Sequence, residues 1–503
     1  MRARDGARFV FANPMTAFSR SLAPVLNVLG AVVAIFAITM LVPLGVAFFA
    51  DEEVLVDYDT AFLISFLGGS LAWWATRPFR RELLPRDGFL LVTLVWTVLP
   101  AFAALPLYLH LPGLSFTDAY FEAMSGLTTT GATVLSGLNE LPLSINVWRC
   151  LLQWIGGMGI IVLAVAILPL LGVGGSQVFR AESAGPMKET KLTPRIADTA
   201  KLLYSIYAGL SALCLVAYWV AGMGWADAFM HMCTTMGIGG FSSHDYSFAR
   251  WDSLAIELVA VVFMTLAGIN FALHFTAWRS RSPLAYLRDP EVRGFLTVLL
   301  LAVLALTAFL FARGVYPDWS TSLRYALFNG VSIITTTGYA NTDYNQWPIF
   351  APIMMLFLAG FATCAGSTGG GVKMIRALIL LKQARREFVR ILHPRSIAPV
   401  TVNGRVIENN VIFAVLAFML IYGAALTWLT FLLLLSGLDV VTAFTAVVAC
   451  LNNIGPGLNR VGPVYNYASL NDFETWVCAF AMLIGRLELM SVLVLFTPTF
   501  WRK

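Results

Sequence analysis

Four short segments of the chain place glycine in a setting that suits binding of a dehydrated monovalent cation by backbone carbonyls. We call them glycine loops 1 to 4: residues 128–132, 237–241, 335–339 and 452–456. Loops 1 and 3 share the sequence Thr-Thr-Thr-Gly, and loops 2 and 4 are weaker copies. Glycine adopts, without steric cost, the backbone angles that turn successive carbonyls to one side. Rings of carbonyls replace the hydration shell of potassium, whereas other cation channels use rings of Asp or Glu, which all four loops lack.

In each loop we predict that the backbone oxygens of three consecutive residues bind the ion. Those residues are Thr129, Thr130, Gly131, Ile238, Gly239, Gly240, Thr336, Thr337, Gly338, Asn453, Ile454 and Gly455. One Thr-Thr-Gly is a weak signal because it arises by chance, but four copies at intervals of about a hundred residues indicate a repeated unit. The alternative interpretation is that these glycines form turns and close helix contacts in a transporter core.

The chain is far too apolar for a soluble domain. Its composition is 58% hydrophobic and 12% charged, whereas soluble domains carry about 25% charged residues. Ten apolar runs approach the length of a membrane span, which needs about 20 residues: 25–49, 59–76, 88–110, 144–171, 200–222, 252–278, 294–312, 348–382, 411–436 and 474–498. Four other runs are too short to cross, and we predict that they enter the membrane and return: 116–128, 225–236, 320–335 and 439–451.

Each of these short runs is followed by a glycine loop. Lipid cannot satisfy the amide and carbonyl groups of such a loop, so it is tolerated at membrane depth only inside protein or beside a wet cavity. We therefore predict an all-α integral membrane protein with four pseudo-fourfold repeats of span, short helix, loop and span around one central pore. The predicted units are an N-terminal arm with an extra two-helix hairpin, then the four repeats: 1–86, 87–198, 199–290, 291–405 and 406–503.

Basic residues concentrate in the loops on one side of the predicted membrane. They follow the second, fourth, sixth and eighth predicted spans: Arg77, Arg80, Arg81, Arg86, Arg180, Lys188, Lys191, Arg195, Lys201, Arg279, Arg281, Arg288, Arg293, Lys382, Arg385, Arg386, Arg390, Arg395 and Arg405. Because loops rich in Lys and Arg stay in the cytoplasm, we predict that both termini are cytoplasmic. The glycine loops then lie toward the outer half of the membrane.

A second glycine-rich stretch, residues 360–371, interrupts the eighth apolar run. Each glycine costs a helix about 1 kcal/mol relative to alanine, so we predict a break there. We call residues 366–371 the intramembrane loop and predict that it occludes the pore below the glycine loops. The predicted gate residues are Gly366, Ser367, Thr368, Gly369, Gly370, Gly371 and Lys373. The alternative is a helix kink without a gating role. A phosphate-binding loop is disfavoured because the Gly-Lys-Ser/Thr ending is missing.

One charged residue stands inside the last apolar run. Arg486 lies in the middle of this predicted span, where a charge must face the interior or a partner. We predict that it lines the pore below the glycine loops and forms a barrier to cations; the alternative is a structural ion pair. Glu488, two residues on, does not share its helical face. Four other polar residues in or near apolar runs are predicted to be structural: Glu122, Arg149, Asn270 and His231.

Six motifs carry a resemblance to a known family: residues 125–133, 153–159, 238–245, 336–339, 366–373 and 453–457. Over essentially the whole chain they resemble the Trk/Ktr/HKT superfamily of potassium-translocating membrane subunits, in its bacterial TrkH/TrkG type. The resemblance implies a pseudo-fourfold pore, a homodimer, and a cytosolic TrkA-like ring that gates the pore and holds the regulatory nucleotide. It also implies the roles given above to the intramembrane loop and Arg486. In the plant branch a serine at the first loop goes with sodium transport, so Gly131 implies a potassium preference.

We therefore expect potassium uptake across a bacterial inner membrane, with the ion as cargo. We expect no enzyme activity, no covalently bound cofactor and no nucleic-acid partner. Two alternatives stay open. A protein of the same fold could prefer sodium or couple the flow to another ion. An integral-membrane enzyme acting on a lipid-linked substrate would need a cluster of Asp, His or metal ligands, and the five histidines are scattered.

Overall fold

The computed structural model describes residues 14–81, 83–162, 196–402 and 404–502. These residues form α-helices, short 3₁₀ turns and one small β-hairpin. The helices are α1 (Pro14–Ile38), α2 (Leu41–Phe49), α3 (Leu55–Thr76), α4 (Pro85–Ala103), α5 (Leu105–His110), α6 (Phe116–Leu127), α7 (Leu143–Val162), α8 (Ile196–Val220), α9 (Trp225–Gly237), α10 (Leu254–Ala267), α11 (Phe271–Ser280), α12 (Leu284–Arg288), α13 (Pro290–Ala312), α14 (Trp319–Ile334), α15 (Phe350–Ala359), α16 (Met374–Leu392), α17 (Asn409–Leu435), α18 (Val440–Leu451), α19 (Asp472–Arg486), α20 (Met490–Leu493) and α21 (Pro498–Trp501). The hairpin pairs β1 (Thr401–Val402) antiparallel with β2 (Arg405–Val406).

Helices α6, α9, α14 and α18 match the four runs predicted to be too short to cross a membrane. Three of them begin at a side-chain cap, in which Ser115, Asp318 and Asp439 accept a hydrogen bond from the amide three residues later. The last six residues of each short helix are buried. Protein therefore surrounds the end of each helix that leads into a glycine loop.

The long helices have the length and apolar character of membrane spans. Among the described residues, six helical segments qualify, or up to eight if two bent pairs are each counted as one span. At the N-terminus, α1 and α3 pack closely through Gly30 and Gly69. A Cβ on either glycine would lie 2.6 Å from a backbone nitrogen of the other helix. Small residues at such contacts let apolar helices approach each other closely.

The two bent pairs correct the predicted straight spans over 252–278 and 474–498. Helices α10 and α11 meet at 96°, and α19 meets the segment from Met490 at 107°. At the first bend, the Asn270 side chain caps α11 by accepting from the Ala272 amide at 2.9 Å. At the second bend, Glu488 has a left-handed backbone (φ 55°) and its carboxylate pairs with Arg376 at 2.9 Å. Both bends thus depend on side-chain contacts that apolar periodicity does not reveal.

The eighth predicted span, 348–382, is broken where its glycines predicted a break. Helix α15 ends at Ala359, residues 360–373 form an irregular segment, and α16 begins at Met374. The basic stretch predicted as a loop from Lys382 to Arg405 contains the last turns of α16 and the first residues of the β-hairpin. The span over 144–171 is described only to Val162, and Arg180, Lys188, Lys191 and Arg195 lie outside the described residues.

Candidate ion site

All four short helices end in the same turn. One residue just after each helix has a left-handed backbone: Thr129 (φ 51°), Ile238 (φ 52°), Thr336 (φ 65°) and Asn453 (φ 54°). Ile238 is the first residue after its helix, and the other three are the second. The next residue donates its amide to the carbonyl five positions earlier, at 2.8 to 2.9 Å in each of the four turns. This is the hydrogen-bonding pattern that commonly closes a helix C-terminus on glycine. Here none of the four residues is glycine, so tertiary contacts must hold the strained turn in place.

A glycine follows two residues after each left-handed residue, again with positive φ. The angles are 84° at Gly131, 77° at Gly240, 90° at Gly338 and 96° at Gly455. Each glycine lies against a carbonyl of the next loop. A Cβ added to Gly131 would lie 1.9 Å from the carbonyl oxygen of Gly239 in loop 2, and a Cβ added to Gly240 would lie 2.0 Å from that of Thr337 in loop 3. A Cβ added to Gly338 would lie 2.0 Å from the carbonyl oxygen of Ile454 in loop 4, and a Cβ added to Gly455 would lie 2.7 Å from that of Thr130 in loop 1. Loop 1 therefore contacts loop 2, loop 2 contacts loop 3, loop 3 contacts loop 4, and loop 4 contacts loop 1.

The twelve residues whose backbone oxygens were predicted to bind the ion belong to the four loops of this closed ring. Their surroundings are polar as well as buried. Thr130 bonds to Thr128 at 2.7 Å and to the Asn453 amide at 2.9 Å, which ties loop 1 to loop 4. Among the described residues, the buried Thr129 hydroxyl and the Asn453 side-chain oxygen have no hydrogen-bond partner. Oxygens left unpaired in this way are available to a cation or to water.

The ring opens on one side into a pocket that all four loop glycines line. The pocket also includes polar and charged side chains from the segments that follow the loops, among them Thr133, Ser242, His244, Asp245 and Asn466. The C-terminal ends of the four short helices lead directly into the loops, so their negative dipole ends favour a cation there. The geometry suits a cation that enters from the pocket and loses water at the ring.

The pair Glu122–Arg149 connects the segments that follow loops 1 and 2, and Arg149 also lines the pocket. The two side chains are fully buried and lie 2.8 Å apart. Glu122 also accepts from the Val134 amide at 3.0 Å, and Arg149 donates to the Ser242 carbonyl at 3.2 Å. The pair therefore connects the segment after loop 1 with the segment after loop 2, which agrees with the structural role predicted for both residues.

His231 is a buried core histidine, as the sequence suggested. Its Nδ1 lies 2.9 Å from the Asp227 carbonyl and its Nε2 lies 3.0 Å from the Ser242 hydroxyl. Among the described residues, no group of three or more His, Cys, Asp or Glu side chains could hold a metal ion. The sequence analysis placed Tyr339 in loop 3 without a role for its hydroxyl, and it did not single out Tyr467. The Tyr339 hydroxyl bonds to Thr234 and Thr235, and that of Tyr467 donates to the Gly455 carbonyl at 2.8 Å.

The intramembrane loop lies against three of the short helices and their glycine loops. The Gly370 amide donates to the Thr336 hydroxyl at 2.9 Å, and the Thr368 hydroxyl donates to the Met236 carbonyl at 3.1 Å. A Cβ at Gly370 would lie 2.0 Å from the carbonyl oxygen of Asn452. The intramembrane loop therefore contacts the second, third and fourth units at once, where each short helix ends and its glycine loop begins.

Internal contacts fix the shape of the intramembrane loop. The Ser367 hydroxyl donates to the Cys364 carbonyl at 2.6 Å, and the Lys373 ammonium donates to the Gly369 carbonyl. Gly366 and Gly371 both have positive φ, at 74° and 79°, which permits the two turns that open and close the loop.

Arg486 is the last residue of α19 rather than the middle of a straight span, because the chain bends directly after it. Its side chain is only 3% exposed. One Nη donates to the Thr368 carbonyl at 2.8 Å, and the other lies 3.5 Å from the Gly156 carbonyl. The guanidinium thus binds the intramembrane loop through a backbone oxygen instead of a carboxylate. Glu488, which is nearby in sequence, pairs with Arg376 instead.

Comparison with known proteins agrees with this architecture. Residues 59–503 match the family model for the TrkH cation transport protein. The chain is 45% identical over 482 residues to the Trk system potassium uptake protein TrkH of Vibrio parahaemolyticus, covering 95% of this chain and 99% of the relative. It is 37% identical over 482 residues to TrkG of Escherichia coli, covering 95% and 98%.

A solved structure shares the fold. The crystal structure of the potassium transporter TrkH from Vibrio parahaemolyticus matches with a TM-score of 0.88 and 43% identity, covering 96% of this chain and all of that one. The described chain is accordingly an all-α, multi-pass membrane protein. With a family model that spans most of its length and relatives aligned end to end, the chain belongs to the TrkH family of cation transport proteins.

Proposed function

We propose that this chain takes up potassium across a bacterial inner membrane through the ring of four glycine loops. The observation that carries the proposal is the closed cycle of contacts, in which each loop glycine lies against a carbonyl of the next loop. A ring of backbone oxygens of this kind replaces the water around a potassium ion. The relatives named as potassium uptake proteins support the choice of ion.

The intramembrane loop and Arg486 form the proposed gate below the ring. The loop contacts three of the four units, and the guanidinium holds the loop through the Thr368 carbonyl. A positive charge at this depth raises the energy of a nearby cation, and a low dielectric strengthens the repulsion. In this proposal the gate is closed while the loop keeps these contacts, and movement of the loop opens it.

The subunits and partners complete the proposal. The chain acts as a homodimer whose cytosolic face binds a TrkA-like ring, and the regulatory nucleotide is held by that ring. The basic residues of α16, including the exposed Arg390, fit a cytoplasmic face under the positive-inside rule. Both termini then lie in the cytoplasm.

The alternative within transport is a sodium-preferring or ion-coupled protein of the same fold. Glycine at the fourth position of all four loops favours potassium over this alternative, because a side chain there would displace a carbonyl of the neighbouring loop. The membrane-enzyme alternative is not supported, since the relatives are named as uptake proteins.

Two measurements test the proposal. The gene is expressed in a bacterial strain that lacks its own potassium uptake systems, and growth is followed at limiting potassium. The purified protein is reconstituted in liposomes, and rubidium uptake is measured in competition with potassium and sodium. We expect restored growth and stronger competition by potassium than by sodium. Equal competition by the two ions, or no cation uptake in either assay, would overturn the proposal.

A further inference from the structure

Gln153, on α7, reaches into glycine loop 2. Its side chain is completely buried. The Nε2 donates to the Gly239 carbonyl at 2.8 Å, and the Oε1 accepts from the Phe241 amide at 3.1 Å. The two contacts lie on either side of Gly240, so one carboxamide holds the backbone before and after the loop glycine.

Loop 2 has room for this carboxamide because its third residue has no side chain. The equivalent residues of the other loops are β-branched: Thr130, Thr337 and Ile454. A Cβ at Gly239 would lie 2.3 Å from Cδ, 2.4 Å from Oε1 and 2.7 Å from Nε2 of Gln153. The glutamine therefore fills the space in which the other loops carry their own side chain.

The first and fourth units differ at this position. Gly156 and Gly485 occupy equivalent positions in the two units. A Cβ on Gly156 would lie 1.9 Å from the Leu127 carbonyl, and a Cβ on Gly485 would lie 2.1 Å from the Leu451 carbonyl. Leu127 and Leu451 each lie two residues before the left-handed residue of their loop. Three residues before these glycines stand Gln153 and Met482. Methionine has no strong donor and cannot make the two contacts that the glutamine makes. The fourth unit instead offers the Met482 carbonyl to the Asn453 amide at 3.1 Å.

We propose that Gln153 is a positioning residue for the potassium selectivity of the ring. Its carboxamide fills the space beside Gly239 and fixes the backbone of loop 2 there. The inference rests on the proposed function, in which the loops bind the ion. Gly239 presents its carbonyl directly to Gly131 of loop 1, so the carboxamide also sets the contact between loops 1 and 2. A carbonyl held in this way cannot move inward to suit the smaller sodium ion, whereas an unrestrained one can.

The chemistry requires glutamine in particular. The site must donate to a carbonyl and accept from an amide at the same time, and a carboxamide does both. An ionised glutamate accepts only and would face the Gly239 carbonyl with a second acceptor. A methionine would fill the space with neither contact.

The test compares Gln153→Met and Gln153→Glu with the wild-type protein in liposomes. Rubidium uptake is measured against competing potassium and sodium, and the ratio of the two inhibitory concentrations is the readout. We expect the preference for potassium to fall by at least roughly fivefold to tenfold in both variants, because Gln153→Glu loses one of the two buried hydrogen bonds and Gln153→Met loses both. Gln346→Met is the matched control, because Gln346 is exposed and its side chain donates to Asp343 at 2.9 Å, outside the loops. Its ratio should equal that of the wild type.

Two further variants change Gly239, the loop residue that Gln153 contacts. Gly239→Ala, with Gln153 present, should displace the carboxamide and lower the preference as Gln153→Met does. In Gln153→Ala combined with Gly239→Thr, loop 2 carries its own β-branched side chain in the vacated space. The backbone at Gly239 lies outside the left-handed region and accepts a side chain. We expect this double variant to be more selective than Gln153→Ala alone.

The outcomes separate the two proposals. If the wild-type protein shows no preference for potassium, the proposed function fails before any variant is compared. If the wild type is selective and Gln153→Met keeps its ratio, the role of Gln153 is overturned. If the Gln153 variants do not yield monodisperse protein, the decision passes to Gly239→Ala, for which a wild-type ratio overturns the inference and a lowered ratio supports it.

Discussion

At the scale of single residues, the loop glycines are needed for two reasons at once. Gly131 has a positive φ of 84°, and a Cβ there would lie 1.9 Å from the Gly239 carbonyl oxygen. Gly137 has a similar φ of 70°, yet nothing lies within 4 Å of its Cβ position. Backbone strain alone would therefore act equally at both positions, and close approach would act only at the first.

We predict that Gly131→Ser lowers the preference for potassium over sodium by more than about tenfold, because the side chain displaces an oxygen of the ring. Gly137→Ser is the control, since it introduces the same side chain at the same kind of backbone without a neighbour. Competition of potassium and sodium against rubidium uptake in liposomes is the measurement. Equal ratios in the two variants would show that close contact between loops does not set selectivity.

A second prediction at this scale concerns the charge below the ring. Arg486→Gln keeps a donor for the Thr368 carbonyl but removes the positive charge, so we expect cation flux to rise by about tenfold or more. Arg486→Lys keeps the charge and should stay near the wild-type flux. Rubidium flux per reconstituted protein is the measurement. If Arg486→Gln conducts no faster than Arg486→Lys, the side chain acts as a structural anchor of the loop instead of a barrier.

At the scale of elements, the intramembrane loop is fastened at both ends by one carboxylate. An oxygen of Glu291, in the first turn of α13, accepts from the Ala365 amide at 2.7 Å and from the Ile375 amide at 3.2 Å. Residues 365 and 375 flank the loop on either side. Glu291 is buried in the protein, so loss of its carboxylate would leave these amides without that acceptor.

We predict that Glu291→Leu loosens the intramembrane loop and exposes Cys364, whose thiol is fully buried next to it. In a background with the other five cysteines replaced by alanine, the rate of reaction with a small maleimide should rise by about tenfold. Glu387→Leu is the control, because Glu387 lies half-exposed on α16, where its carboxylate accepts from Gln383 and pairs with Arg386 and Arg390. An unchanged labelling rate in Glu291→Leu, with normal rubidium flux, would contradict a clamp at this position.

The elements also show what the sequence could and could not predict. The short helices follow from their length, and the turns after them follow from Thr-Thr-Gly and its copies. The bends after Ala267 and Arg486 were not predicted. The first combines the local Asn270 cap with a distant contact, from the Phe271 amide to the Gly366 carbonyl, and the second involves the distant pair of Glu488 and Arg376. The fourfold relation of the repeats and their boundaries stay predictions.

Within the site, the sequence predicted which residues lie at the ring but missed the residues that hold the ring in place. Gln153 belongs to a motif that contributed only to the family resemblance. The residues around it in the sequence do not indicate that its carboxamide packs against Gly239. The hydrogen bonds of the Tyr339 and Tyr467 hydroxyls could not be predicted for the same reason. Residues that support a loop from another helix become visible only when the packing is known.

At the scale of the whole molecule, four units must keep one common geometry although they are distant along the chain. Glu122 and Arg149 supply one such connection, since their buried pair joins the segments after loops 1 and 2. Removal of one partner from a buried ion pair leaves an uncompensated charge and costs about 3–5 kcal/mol, whereas replacement of both by apolar residues costs far less. Stability and ring geometry are thus tied together at this pair.

We therefore predict that Glu122→Gln lowers the free energy of unfolding by roughly 3–5 kcal/mol, and that Glu122→Met combined with Arg149→Met recovers part of this loss. Thermal unfolding in detergent, followed by tryptophan fluorescence, measures the stability. The double variant should nevertheless fall below the wild type in potassium preference, because the hydrogen bonds to Val134 and Ser242 are lost with the charges. Glu387→Gln, at a surface pair, should change stability by less than about 1 kcal/mol. A double variant with wild-type selectivity would mean that the ring keeps its geometry without this connection.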